Sequence, residues 1–364
     1  MDISKENVLK ALSHVNDPDL GKDLVTLNMI EDIKINGDKL SFSVVLTTPA
    51  CPLKEIIKND CLKAIEKHLG SGLSVDIHMT SNVTTIRQNA PLLPGVKNII
   101  AVASGKGGVG KSTITANLAV ALSKSGAKVG IIDADIFGPS MPIMFNCEHE
   151  QPSVRQEGDK NLIIPLEQYG VKILSIGFLT PVDDAIVWRG PMASSALRQF
   201  IADADWGELD YLLIDLPPGT SDIHLTLVQT VPVTGALIVT TPQKVALADA
   251  TKGVSMFRQA QINVPVLGIV ENMAYFTPEE LPDNKYYIFG EDGGKSLAEK
   301  FDVPLLGQIP LVQSVRESGD NGYPEVMKEG PIADAFHSTA NMLAQQVAIR
   351  NATLEKTKKI EINA

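Results

Sequence analysis

One stretch of this chain has the residues to do chemistry on phosphate. Residues 104–113 read Ser-Gly-Lys-Gly-Gly-Val-Gly-Lys-Ser-Thr, between the apolar run Ile99–Ala103 and the helical stretch TANLAVALSKSG. Gly105 to Ser112 fits G-x-x-x-x-G-K-[ST], the phosphate-binding P-loop, in the strand–loop–helix setting that the motif requires. Gly105, Gly107, Gly108 and Gly110 let successive backbone N–H groups, that of Val109 included, turn inward on phosphate oxygens where side chains would block them. The amino terminus of the following helix adds a favourable dipole, starting at Lys111, Ser112 and Thr113. The Lys111 ammonium is expected on the β/γ-phosphates and the Ser112 hydroxyl on Mg²⁺.

Three aspartates complete this expectation. Asp215 ends the apolar run YLLID, where a carboxylate holds Mg²⁺ through water. Asp133 and Asp135 end the run VGIID-A-D. In a parallel sheet both follow the same strand edge as the P-loop, so one of them should face the γ-phosphate and orient the attacking water. Lys106 is a second lysine inside the loop, beyond what the phosphates need.

The elements that must position these groups are legible from periodicity. From Val96 onward, the runs NIIAVAS, KVGIID, DYLLID, GALIVTT and VPVLGIVEN alternate with helical stretches. Each is short, β-branched and apolar throughout, as for strands buried on both faces. The expected fold is α/β: a P-loop NTPase with a mainly parallel sheet covered by helices on both faces. A small α+β domain should precede it. There Val8, Leu12 and Val15 follow a Ser4 cap with helical spacing. Ile33/Ile35 and Leu40/Phe42/Val44 alternate around Asn36-Gly37-Asp38, a hairpin signal. Leu53, Ile56, Ile57, Cys61, Ala64 and Ile65 then mark a second helix stopped by Gly70, and Val75, Ile77 and Met79 a third strand. The expected boundaries are 1–81 for this domain, 82–95 for a linker, 96–354 for the P-loop domain with a last helix from about Pro331, and 355–364 for a charged tail.

Composition narrows the setting. The 364 residues are 44% hydrophobic and carry a net charge of −11. An acidic chain binds nucleic acid or anionic membranes poorly unless basic residues cluster. The one candidate cluster, Lys356-Thr357-Lys358-Lys359, reads as a solvated end. MDISKENVLKAL lacks an apolar core for a secretory signal, and no apolar run is long enough for a membrane span. Three cysteines make no disulfide framework, so a cytoplasmic setting is expected.

With these residues in view, the chain resembles a known family. SGKGGVGKST is similar to the deviant P-loop of the MinD/ParA/nitrogenase-iron-protein class, marked by its extra lysine. GPSMP at 138–142, RGPM at 189–192 and DLPPGTSD at 215–222 resemble the Mrp/ApbC iron–sulfur cluster carrier ATPases. DPDLGKDLVTLNMI and TTPACP, in the first domain, resemble the metal–sulfur cluster assembly domain that many such proteins carry. The resemblance implies a homodimer with two ATP molecules between facing subunits, and cluster scaffold and recipient apoproteins as partners. It implies that Lys106 reaches the partner's nucleotide, that Asp135 orients the water while Asp133 supports the loop, and that Asn272 reads the adenine edge.

The chain departs from the family at its cluster site. The family's C-x-x-C pair should follow Asn272, yet residues 275–287 contain no cysteine. Cys51 is the remaining candidate cluster ligand: it matches TTPACP and precedes a helix, whose dipole should favour its thiolate. Cys61 is expected in the core, and Cys147, beside His149, in a loop without a partner pair.

These readings define a Mg²⁺-dependent ATPase that binds and delivers iron–sulfur clusters. The alternatives are an ATP-switched dimeric scaffold without a cluster, and a positioning ATPase of the MinD/ParA kind. The last needs a basic amphipathic terminal helix, and MLAQQVAIRNATLEKTKK is only weakly basic.

Overall fold

The computed structural model describes residues 3–87, 91–135, 138–158, 160–179, 190–278, 280–281 and 283–356, with the backbone alone at Leu179 and Gly190. Arg189 of the RGPM stretch and residues 357–359 of the basic tail lie outside the described residues. Contacts divide the chain into two units: Met1–Thr84 with Ala348–Leu354, and Thr85–Val347 with Glu355–Ala364.

The first unit runs α1 (Lys5–Leu12), β1 (Ile30–Asn36), β2 (Lys39–Leu46), α2 (Lys54–Leu69) and β3 (Ser74–Ser81). Ser4 caps α1 by accepting the Asn7 N–H, as its residue type favours. The helix stops at Leu12, so Val15 joins the core from the loop beyond it. β1 and β2 form an antiparallel hairpin with Asn36 opposite Lys39 across Gly37-Asp38, and Gly37 is left-handed. β3 then pairs parallel to β2 after the α2 crossover. Phe42, Val44, Val8, Leu12, Ile57 and Ile65 make the core, and Cys61 lies within it as expected.

Two expected core positions face water instead. Ile35 shares the face of buried Leu40, with which it pairs, but it lies on the edge strand beside the hairpin turn and is about a third exposed. Ile56 falls on the outer side of α2 and is half exposed.

The second unit begins β4 (Val96–Ala103), α3 (Lys111–Lys124), β5 (Val129–Asp133) and α4 (Met141–Met144). Four short strands follow: β6 (Ser153–Glu157), β7 (Lys160–Ile164), β8 (Leu166–Gln168) and β9 (Val171–Ser175). Then come α5 (Gly190–Ala202), β10 (Leu209–Asp215), α6 (Asp222–Thr230), β11 (Gly235–Thr240), α7 (Lys244–Arg258) and β12 (Val266–Phe276). The unit continues with α8 (Gly293–Phe301), β13 (Leu305–Leu311), α9 (Gln313–Asp320) and α10 (Pro331–Thr353), the last crossing into the span grouped with the first unit.

Eight strands form one sheet in the order β13-β12-β11-β4-β10-β5-β9-β8, parallel throughout except for β8 on β9. β5 and β11 are buried at every residue, which is why their sequences read as unbroken apolar runs. Ile99, Ala101, Ile214 and Ile238 pack into one core layer, and the alternate residues Ile100, Val102 and Leu213 serve the opposite face. Among the described residues no helix is long and apolar enough to cross a membrane.

The expected linker is tied down at Arg87. Its buried guanidinium donates to the backbone carbonyls of Leu92, Leu93 and Val96, and burial holds its pKa down to about 10.

Candidate functional site

The P-loop leaves β4 at the carboxyl edge of the sheet and enters α3 through Gly110. Two of its glycines are required by space. A Cβ on Gly105 would stand 2.0 Å from the Asp249 backbone in α7, and one on Gly110 would stand 2.1 Å from Asn272 Nδ2. Gly108 and Gly110 are also left-handed, at φ +79° and +82°. Val109 is buried beneath the loop, Gly107 and Lys106 are exposed, and Thr113 anchors Asn117 through its carbonyl.

Neighbouring strand ends are stitched to this loop by backbone bonds. Gly219 N–H donates to Ser104 O, Leu216 N–H to Val102 O, and Ala134 N–H to Asp215 O. Three loops remote in sequence are thereby fixed around one point.

Asp215 is fully buried at the end of β10 and gathers the hydroxyls of α3. Ser112 Oγ lies 2.6 Å from its Oδ2, Thr115 Oγ1 2.8 Å from its Oδ1, and Lys111 Nζ 2.8 Å from Oδ2. Lys111 Nζ is also 3.8 Å from Asp135. The structure thus brings Lys111, Ser112, Asp135 and Asp215 together. Thr115 is the member that sequence reasoning missed. Its signal was available, since it stands three residues after Ser112 on the same helical face.

The hydroxyl and carboxylate oxygens of Ser112 and Asp215 form a hard-oxygen set of the kind Mg²⁺ takes, so these residues fit the ion.

Asp133 has a different company. Its Oδ2 accepts from Ser140 N–H, Met141 N–H and Ser175 Oγ, and Asp135 N–H lies 3.3 Å from its Oδ1. Burial, and next the Asp215 charge, push its carboxyl up to about 7. Ser175 and the Met141 amide pull the other way. Asp133 thus ties Asp135, Ser140 and Met141 to the end of β5.

Asn272 Nδ2 donates to Val109 O at 2.9 Å, so one of its two donors braces the loop. Gly110, Thr113, Asn272 and Met273 line a cavity of about 390 Å³, walled by Ile143, Leu311 and Val315. His224, at the start of α6, is buried and accepts the Ser221 N–H on Nδ1. Burial, and then the Lys111 charge, hold its pKa down to about 4.

The cysteines correct one expectation. Cys51 is half-buried against the first unit's core, and burial raises its thiol pKa, with the Asp19 and Asp17 charges adding to the effect. Only the Leu53 N–H and Lys54 oppose this. The expected thiolate is not favoured, because the lost hydration outweighs the helix end. Burial pushes Cys61 and Cys147 up to about 12. Cys147 lies in a loop as expected, but is buried there. Among the described residues no group of three or more His, Cys, Asp or Glu side chains could hold a metal ion.

A P-loop at the end of a central parallel strand, with aspartates ending the next two, defines a P-loop NTPase. Residues 95–347 match the family described as NUBPL iron-transfer P-loop NTPase, and residues 5–77 the iron–sulfur cluster assembly protein family. The chain belongs to the NUBPL iron-transfer P-loop NTPase family. Iron–sulfur cluster carrier proteins of Synechocystis sp. and Deinococcus radiodurans are 47% and 48% identical to it over 349 and 347 residues. These alignments cover 95% and 94% of this chain, and 97% and 95% of theirs. A solved nucleotide-binding protein of Archaeoglobus fulgidus, in complex with ADP, is similar at TM-score 0.56 and 40% identity. That likeness covers 65% of this chain and 91% of the other.

Proposed function

We propose that this chain is an ATPase that binds iron–sulfur clusters and passes them to recipient apoproteins. The observation that carries the ATPase half is the convergence of Lys111, Ser112 and Thr115 on buried Asp215 at the mouth of the P-loop. The cluster half is supported by the family and by the relatives' names as iron–sulfur cluster carrier proteins.

In this reading the loop amides and Lys111 take the β- and γ-phosphates, and Ser112 and Asp215 would hold Mg²⁺. The ion would neutralise developing charge on the phosphate oxygens. Asp135 orients the water that attacks the γ-phosphorus; the bond from that phosphorus to the β,γ-bridging oxygen breaks, and ADP and inorganic phosphate leave. Exposed Lys106 serves the nucleotide of a second subunit, in the manner of an arginine finger supplied in trans. The protein works as a homodimer on this account. Cluster cargo engages Cys51, completed by ligands from outside the chain.

The test is cluster transfer to an apoprotein, with and without ATP, by the wild type and by Lys111→Ala. ATP-dependent transfer lost in the variant supports the reading. The cysteine-free stretch at 275–287 favours a second reading, an ATP-switched scaffold that carries no cluster. Wild-type protein that hydrolyses ATP yet takes up no iron and sulfide would establish that alternative.

A further inference from the structure

Met273 holds a backbone conformation that its residue type disfavours. Its φ is +53° inside β12, in the left-handed region where a Cβ crowds the neighbouring carbonyl. Six of the nine left-handed non-glycine residues described are Asn or Asp, whose short polar side chains tolerate the region. Methionine offers no such compensation.

The cause is a bulge. Asn272 pairs with Ile309 and Phe276 with Leu311, so β12 advances four residues while β13 advances two. Where a bulge needs a left-handed residue, as in the G1 type, glycine usually fills it.

The consequence lies at the P-loop. Successive side chains of a regular strand point to opposite faces. Here two neighbours reach the same loop end: Asn272 Nδ2 bonds to Val109 O, and a Cβ on Gly110 would stand 3.9 Å from Met273 Cε. Both side chains line the cavity that opens beside Gly110 and Thr113. Its walls are mainly apolar, with room for a planar heteroaromatic ring.

We propose that Met273 is a base-contacting residue of the nucleotide site, and that the left-handed turn is retained because it aims the thioether at the ring. The proposal rests on the nucleotide reading of the P-loop. A polarizable thioether packs well on an aromatic edge, and backbone strain of this kind, held in place by its surroundings, clusters at ligand sites. Met273 then grips the base, while the loop and Lys111 grip the phosphates.

The test compares ATP with inorganic tripolyphosphate, which offers the phosphates without a base. Both are titrated into the full-length chain with Mg²⁺, as wild type, Met273→Ala, Met273→Leu and Met273→Gly. Met273→Ala should weaken ATP about 5- to 10-fold and leave tripolyphosphate unchanged. Met273→Leu, close in volume, should bind ATP within about 3-fold of wild type. Met273→Gly should bind ATP as weakly as Met273→Ala but melt about 2 °C higher, since glycine removes the strain. ATP binding by Met273→Ala at wild-type strength overturns the proposal. So does an equal loss of ATP and tripolyphosphate, which would mean a disturbed loop. A Met273→Gly protein melting no higher than Met273→Ala overturns the strain argument. A wild type that binds neither ligand defeats the nucleotide reading itself.

Discussion

Asp133 and Asp215 stand opposite each other in register on neighbouring parallel strands, and neither has any exposed surface. Two buried carboxylates so placed cannot share one role, because each raises the cost of ionising the other. The surroundings separate them. Lysine and hydroxyl groups converge on Asp215, whereas amides and one serine tie Asp133 to the following loop. Environments that push paired acids apart are the usual means of assigning them different tasks. These partners support the proposed division in which Asp215 serves the Mg²⁺ site and Asp133 braces the loop.

The two loop lysines should fail differently. Lys111→Ala should lower ATP affinity by at least about 100-fold, since the phosphates lose a desolvated cationic partner. It also leaves Asp215 buried without its cation, a loss on the order of 3–5 kcal/mol in stability, so melting must be recorded beside binding. Lys106 is exposed, and no partner for its ammonium is seen among the described residues. Lys106→Ala should therefore bind ATP normally, melt normally, and turn over about 100-fold or more slowly. Wild-type turnover in Lys106→Ala removes the role in trans.

Asp135→Ala should slow hydrolysis about 100-fold with ATP affinity within about 3-fold of wild type, because general-base or water-orienting work appears in kcat rather than in binding. Its carboxylate lies 3.8 Å from Lys111 Nζ, which raises a rival role in holding that lysine. Weakened ATP binding with unchanged single-turnover rates would establish the rival.

The main outline of this site was readable before the fold because its signals are local. The P-loop spacing, the helical face carrying Ser112 and the aspartate that ends each apolar run are each legible within a few residues, although Asp215 lies 103 residues from Ser112. The unread parts depend on meetings between distant segments. Ser175 reaches Asp133 across 42 residues, and Gly105 needs its hydrogen because α7 passes against it. β9 and β13 lack the unbroken apolar run of the central strands, although Val171–Ser175 is largely buried. Lys172 interrupts β9, and Gly307, Gln308 and Pro310 interrupt β13. Cys51 shows the same limit: its place before a helix is visible in the sequence, while the burial that raises its thiol pKa is not.

His224 gives a pH test. Its pKa is held down to about 4, against about 6.5 in an unfolded chain. Between these values the unfolded state binds the extra proton, so this group's contribution falls as pH drops from about 6.5 to about 4. The loss is on the order of 3 kcal/mol. Asp133 runs the opposite way, since its raised pKa weakens the fold as pH climbs from about 4 to about 7. Only a difference isolates the histidine. Urea unfolding of wild type and His224→Leu from pH 4 to 7 should show the wild type losing relative stability toward acid. Parallel curves across that range would mean that His224 titrates normally.

Cys51 gives the last test, because its environment opposes the thiolate that a metal needs. The half-buried thiol lies near the Asp17 and Asp19 charges, both of which raise its pKa. Metal binding must displace its proton, so uptake should depend on pH. One such cysteine per subunit supplies two sulfur ligands to a dimer, half of the usual four. Any cluster held there should be labile and completed by small thiols or by the recipient. Anaerobic reconstitution should load more iron at pH 9 than at pH 7, and a chelator should strip it within minutes. Cys51→Ala should bind almost none while hydrolysing ATP at the wild-type rate, since the P-loop belongs to the other unit. A firmly held cluster in Cys51→Ala would refute this assignment and shift attention to Cys147, whose burial would then have to open for the metal to enter.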